Sequence, residues 1–120
     1  MREDTAEWLK IAEHDIRGAA SLLKDGLWQG SAYFCQQAAE KLLKAVVTEQ
    51  EMEPRKIHDL GELADLAGID LTDEQRTFLT RLSDHAVRSR YPGAKYNEEE
   101  VRELFEETRA FFEWLRAKLS

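Results

Sequence analysis

The sequence predicts an all-α bundle of about five helices, three long and two short, and three observations carry that expectation. Apolar residues recur at helical spacing in five segments, capping or breaking residues bound each segment, and no stretch alternates as a strand would. The 120 residues suffice for one hydrophobic core, so a single domain over 1–120 is expected.

Asp4 or Thr5 is placed to cap a first helix running to about Lys24, with Leu9, Ala12, Ile16, Ala19 and Leu23 as its apolar stripe. Asp25-Gly26 ends it. Asp15 breaks the pattern, because it falls between Trp8, Ala19 and Leu22 on the edge of the apolar face. A carboxylate there needs donors, for which Tyr33, Gln36 and Lys44 are the candidates; a catalytic or ligand role is the alternative.

A short link, Gly26 to Gly30, makes the first two helices antiparallel neighbours, with Trp28 covering the end of the hairpin. The second helix, from Ser31, is the expected centre of the bundle. Ala32, Phe34, Cys35, Ala38, Ala39, Leu42, Leu43, Ala45 and Val46 form a broad apolar arc, while Gln37, Glu40, Lys41, Lys44 and Thr48 share the other side. An arc that wide touches two further helices, and its small residues admit a close neighbour. Pro54 predicts an end near Glu51 to Glu53.

Asp59 caps a short third helix whose packed side is Leu60, Leu63, Ala64 and Ala67, ending at Gly68. His58, just before it, is read as bonding the helix start or a nearby side chain. Thr72-Asp73-Glu74-Gln75 has capping-box spacing, and Phe78, Leu79, Leu82 and Ala86 give the fourth helix its buried stripe. Arg81, His85 and Arg88 line one face of that helix. It stops in the turn Arg88-Ser89-Arg90-Tyr91-Pro92-Gly93. Asn97 caps the fifth helix, with Glu100 placed to complete a box, and Val101, Leu104, Phe105, Thr108, Phe111, Phe112, Leu115 and Leu119 keep helical spacing. Ala110 and Trp114 lie off that stripe, and an aromatic on a second face reads either as part of a subunit interface or as a partly covered surface residue.

The net charge is −7, which argues against a general nucleic-acid coat. Residues 81–95 are the exception: Arg81, Arg88, Arg90 and Lys95 stand against Asp84 alone, a net +3 in a chain whose remainder carries −10. No run approaches the ~20 apolar residues of a membrane helix, and Met1 to Asp4 lacks a signal-peptide pattern. A soluble cytoplasmic protein is expected. Cys35, on an apolar face, reads as a small core residue. Zinc, phosphate-loop and dinucleotide fingerprints are absent, so no metal and no cofactor is expected.

Three stretches, in order, resemble the HEPN family, the higher eukaryotes and prokaryotes nucleotide-binding domain. They are Phe34-Cys35-Gln36-Gln37-Ala38-Ala39-Glu40-Lys41 with Lys44-Ala45, then Ile57-His58-Asp59-Leu60, then Arg90-Tyr91-Pro92. The resemblance implies an antiparallel up-and-down bundle that commonly forms homodimers. Small stand-alone members are often encoded beside a minimal nucleotidyltransferase, and many such pairs behave as toxin and antitoxin. Other members are metal-independent endoribonucleases with the motif Arg, four to six residues, His, paired across a dimer.

This sequence departs from that motif. Three residues separate Arg81 from His85, and the five-residue gap after Arg90 leads to Tyr96, a poor proton shuttle at neutral pH. The leading expectation is therefore a dimeric partner of a minimal nucleotidyltransferase that binds nucleotide or RNA phosphate through Arg81, Arg88, Arg90, Tyr91, Lys95 and Tyr96, where guanidinium groups grip phosphate and a tyrosine stacks on a base. The alternatives are an endoribonuclease toxin, with His85, Arg88 and Arg90 as catalytic candidates, and a non-catalytic adaptor.

Overall fold

The computed structural model describes residues 1–54 and 56–119. Five α-helices follow one another: α1 (Glu3–Lys24), α2 (Trp28–Glu49), α3 (Leu60–Leu66), α4 (Asp73–Arg88) and α5 (Glu98–Arg116), with a final 3₁₀ turn at Ala117–Leu119. No strand occurs among the described residues. The expected five helices and their order hold, but α3 is the one short helix among them, α4 running for 16 residues.

Three helix ends share one device. At the end of α1 the Leu27 N–H reaches the Leu22 carbonyl and the Gly26 N–H the Leu23 carbonyl, with Gly26 at φ 76°. This is the Schellman pattern, which satisfies carbonyls the helix leaves open and needs a left-handed residue. Gly68 ends α3 in the same way, with Ile69 N–H on the Ala64 carbonyl. In α2 the left-handed position belongs to Glu51, at φ 62°, and Met52 N–H reaches the Val47 carbonyl. That turn, rather than Pro54, stops α2 at Glu49, earlier than the sequence suggests.

Two helix starts also differ from expectation. Arg2, not Asp4 or Thr5, occupies the N-cap of α1, and it provides no side-chain cap bond. Thr5 is buried instead, and Asp4 accepts from the Arg2 guanidinium and the Thr5 N–H. In α2, helix begins at Trp28 rather than Ser31, because the Schellman turn at Gly26 leads straight into it. Ser31 is thus freed from capping, and its hydroxyl donates to the Ala19 carbonyl at 2.8 Å across the hairpin. Trp28 still covers the turn, its ring lying against Gly26.

The other N-cap residues are as read, although Glu100 does not close the box at Asn97. Asp59 accepts from Glu62 N–H, Thr72 and Gln75 form a reciprocal box, and Asn97 accepts from Glu100 N–H.

α2 is the central helix, in contact with α1, α3, α4, α5 and the terminal turn. Its apolar arc is buried apart from a half-exposed Phe34, and so are Glu40, Lys44 and Thr48, which the sequence placed on a polar side. With neighbours on so many sides the helix keeps little solvent-facing surface. From α5, Val101, Leu104, Phe105, Thr108, Phe111, Phe112 and Leu115 all enter the core, joined by Leu119 from the terminal turn. α4 sends in Phe78, Leu79 and Leu82, while Ala86 is half-buried. α4 and α5 each lie against α2 and meet one another through side chains, Phe78 with Phe111 and Arg81 with Glu107.

Replacing Leu43, which is fully buried, by Ala should cost about 2–5 kcal/mol in urea unfolding. Glu51→Gly should stabilise by about 1 kcal/mol, because it relieves a left-handed non-glycine residue at the loss of one exposed pair to Arg2. A thermal midpoint unchanged or lowered in the glycine variant would count against strain at that turn.

Candidate functional site

The residues singled out by charge sit on the last turns of α4 and the segment leading to α5. The Thr72 box starts α4, and the burial of Phe78, Leu79 and Leu82 sets its rotation. Arg81, His85 and Arg88 are thereby directed into the groove facing α5. The groove measures about 590 Å³ and is also lined by Asp84, Asn97, Glu99, Glu100, Glu103 and Glu107.

The basic side chains there are already matched. Arg81 donates to Glu107 at 2.8 Å. Arg88 donates to both oxygens of Glu100, at 3.2 and 3.1 Å, and to the Lys95 carbonyl at 2.7 Å. Its guanidinium lies 4.2 Å from the centre of the Tyr96 ring, a cation–π distance. Two-point pairing of this kind fixes direction as well as charge. Glu100 was legible as a cap residue; its N–H does bond Asn97, but its carboxylate crosses to α4 instead of closing the box.

His85 and Tyr96 form the centre of this cluster. His85 Nδ1 lies 2.7 Å from the Tyr96 hydroxyl, with the rings tilted at 38°. Burial, reinforced by the Arg88 charge, pushes the His85 pKa below its ordinary 6.5. With the ring neutral, Nδ1 can accept the Tyr96 proton, which leaves the N–H on Nε2. Burial also raises Tyr96 above its usual value, so both groups are neutral near pH 7.

Arg90, Tyr91 and Lys95 are arranged differently. All three are exposed, Tyr91 at 61%. Arg90 has no ion-pair partner among the described residues, and its guanidinium lies 5.5 Å from the Tyr33 ring centre. Gln29 holds the segment to α2 by donating to the Ser89 and Tyr91 carbonyls. The Ser89 hydroxyl bonds the His85 carbonyl, and Gly93 turns the chain at φ 81°.

A second polar cluster lies outside the basic segment. Glu40 is 3% exposed and Lys44 5%. Glu40 accepts from Gln36 at 3.1 Å, His58 at 3.3 Å and Lys41 at 3.5 Å, and is ion-paired with Lys44 at 3.2 Å. Burial alone would raise this carboxyl; the Gln36 hydrogen bond and the Lys41 and Lys44 charges, aided by His58, outweigh it and hold the pKa below the ordinary value. Beside a carboxylate, which only accepts, His58 donates through Nδ1. Asp15 is buried but meets none of its expected donors; its contact is His14 Nδ1 at 3.4 Å. Burial pushes the Cys35 thiol up to about 12, which makes it an inert core group. No three metal-ligating side chains gather among the described residues.

The model of the HEPN domain matches residues 5–118. The chain belongs to the HEPN family. Its fold is similar to that of TT1696 from Thermus thermophilus, with a TM-score of 0.85 and 22% identity over 98% of this chain and 99% of that one. It is also similar to ST0689, an archaeal HEPN homologue, with a TM-score of 0.75 and 23% identity over the full length of both chains. No curated protein matches. At such identities the two structures bear on the HEPN fold alone. No described helix is long and apolar enough to cross a membrane.

Glu40→Ala should destabilise the HEPN bundle by about 3–5 kcal/mol at neutral pH, since it strands the buried Lys44 ammonium. The lowered Glu40 pKa sets the sign of its pH dependence: its contribution is complete above the ordinary 4.5 and is lost as pH falls towards the folded value. Urea midpoints between pH 7 and 3 should therefore fall more steeply for the native chain than for Glu40→Gln.

Proposed function

We propose that this HEPN protein is a dimeric binding module, the partner of a minimal nucleotidyltransferase in a toxin–antitoxin-like pair, which holds nucleotide or RNA phosphate on the segment after α4. One observation carries the ligand reading: Arg90, Tyr91 and Lys95 are exposed together, while Arg81 and Arg88 are engaged by Glu107 and Glu100. The six residues expected from the sequence thus divide in two. Arg81, Arg88 and Tyr96 tie α4 to α5, and Arg90, Tyr91 and Lys95 remain to meet a ligand.

Arg90 suits a phosphate, because its five donors face solvent and the Tyr33 ring steadies its plane. Tyr91 offers a ring for stacking on a base. Its exposed hydroxyl also suits it as acceptor of a nucleotidyl group: the phenolic oxygen attacks the α-phosphorus of a nucleoside triphosphate, its proton leaves, and pyrophosphate departs. The nucleotidyltransferase and dimer parts of the reading are supported by family membership.

The ribonuclease alternative has less support. His85, the candidate for proton transfer, is bonded to Tyr96, and Arg88 is fixed on Glu100, so of the three catalytic candidates Arg90 alone is uncommitted.

Metal-free incubation with end-labelled RNA, followed by a binding measurement, tests this. RNA should remain intact and bind, and Arg90→Ala should weaken binding by about tenfold, the loss of one charge-assisted contact. Arg88→Ala should leave binding nearly unchanged while lowering stability by up to about 1 kcal/mol, as its pair is half-exposed. Equal binding by the Arg90 variant, or RNA cleavage by the native chain, would overturn the assignment.

A further inference from the structure

α4 and α5 both rest on α2 yet leave a furrow between them. Its charged end is the 590 Å³ groove at Arg81 to Arg88. Its other end, about 450 Å³, is lined by Phe78, Ala110, Phe111 and Trp114, with Glu74 and Gln75 at the rim. Glu107 borders both, so the two depressions are neighbours along the α4–α5 seam, which the pair of Glu107 with Arg81 crosses. From Gln75 to Arg88 the α4 wall is ~20 Å long at 1.5 Å per residue, the span of about four helical turns.

The lining changes along that length. At one end Trp114 is half-buried, packed on Phe111 with ring centres 5.7 Å apart, and Ala110 is exposed beside it. At the other, Arg81 and Arg88 are neutralised by Glu107 and Glu100. Asp84, Glu99 and Glu103 remain exposed without an ion-pair partner among the described residues. His85, also facing this end, is kept neutral by burial and by Arg88. The charged end is therefore net negative, which disfavours phosphate and suits ammonium or guanidinium groups.

We propose that this furrow is a docking site for an amphipathic helix of a partner protein, with apolar residues at one end seated against Phe78, Ala110 and Trp114 and Lys or Arg at the other facing Asp84, Glu99 and Glu103. A helix laid in a groove is read through anchors at i, i+3, i+4 and i+7. Charge complementarity beside an apolar floor is what selects such an occupant. The site rests on the reading above only in requiring a protein partner; it needs neither nucleotide nor the Arg90 segment.

The test uses the full chain and a helix-constrained synthetic peptide of about 15 residues, with Leu at the anchor positions of one half and Lys in the other. Fluorescence anisotropy should show binding, and Trp114 emission should shift. The double variant Ala110→Arg, Glu103→Lys should weaken binding at least tenfold, while Glu7→Lys on α1 and Arg90→Ala should leave it unchanged. Ala110 and Glu103 are both exposed, so the variant keeps the core. A peptide with Glu in place of Lys should bind at least tenfold more weakly. Equal affinity for both peptides, insensitivity to the double variant, or absence of binding at millimolar peptide would overturn the proposal. So would concentration-dependent shifts at Trp114 without peptide, which would make the furrow a contact between copies of this chain. Loss of RNA binding in Arg90→Ala with peptide binding intact separates this site from the nucleotide site.

Discussion

The constraint on which the bundle depends is the near-complete enclosure of α2. A helix enclosed on so many sides would ordinarily be apolar throughout, yet this one carries Glu40 and Lys44 into the interior. The fold accommodates them by giving the Glu40 carboxylate three donors, Gln36 and Lys41 from its own helix and His58 from the approach to α3, beside its ion pair with Lys44. The pairing is therefore structural at two levels. It compensates charge that burial would otherwise penalise, and it ties the segment before α3 to the centre of the molecule. The Gln36, Glu40, Lys41 and Lys44 positions of the family-like stretch thus have a physical reason that does not require chemistry.

The same logic separates the two groups of arginines. Arg81 and Arg88 reach across to α5 and bind Glu107 and Glu100, holding the two helices together. Arg90, just beyond the helix end, has left that face and rests on Tyr33 of α2. A two-residue step along the chain thus converts a structural cation into an accessible one. The formal +3 of residues 81–95 overstates the positive potential offered to a ligand.

What was legible in the sequence was local. Asp59, Thr72 with Gln75, and Asn97 each bond an N–H three residues on, and the α5 stripe follows from spacing alone. What was not legible depended on partners distant in sequence or on how many neighbours a helix acquires. Nothing local marks Glu40 and Lys44 as buried, because that follows from the number of helices around α2. The Arg88–Glu100 pair spans twelve residues and a turn, and it competes with a sound local role for Glu100 at the cap. Ser31 shows the same competition: a residue suited to capping was used instead to join two helices. Of the candidate site, composition located the segment, and only the fold separates the paired arginines from Arg90.

The α1–α2 hairpin also governs how the chain reaches this structure. Two helices of 22 residues each meet through a tight glycine turn, so their contacts close short loops and require little ordering of distant chain. α5, by contrast, packs on α2 from the far end of the sequence, beyond α3 and α4. Loop-closure entropy thus favours forming the hairpin contacts ahead of those of α5, an order that φ-values at Leu43 and Phe111 would read. Until α5 arrives, the face of α2 that it covers is open to water and to other chains.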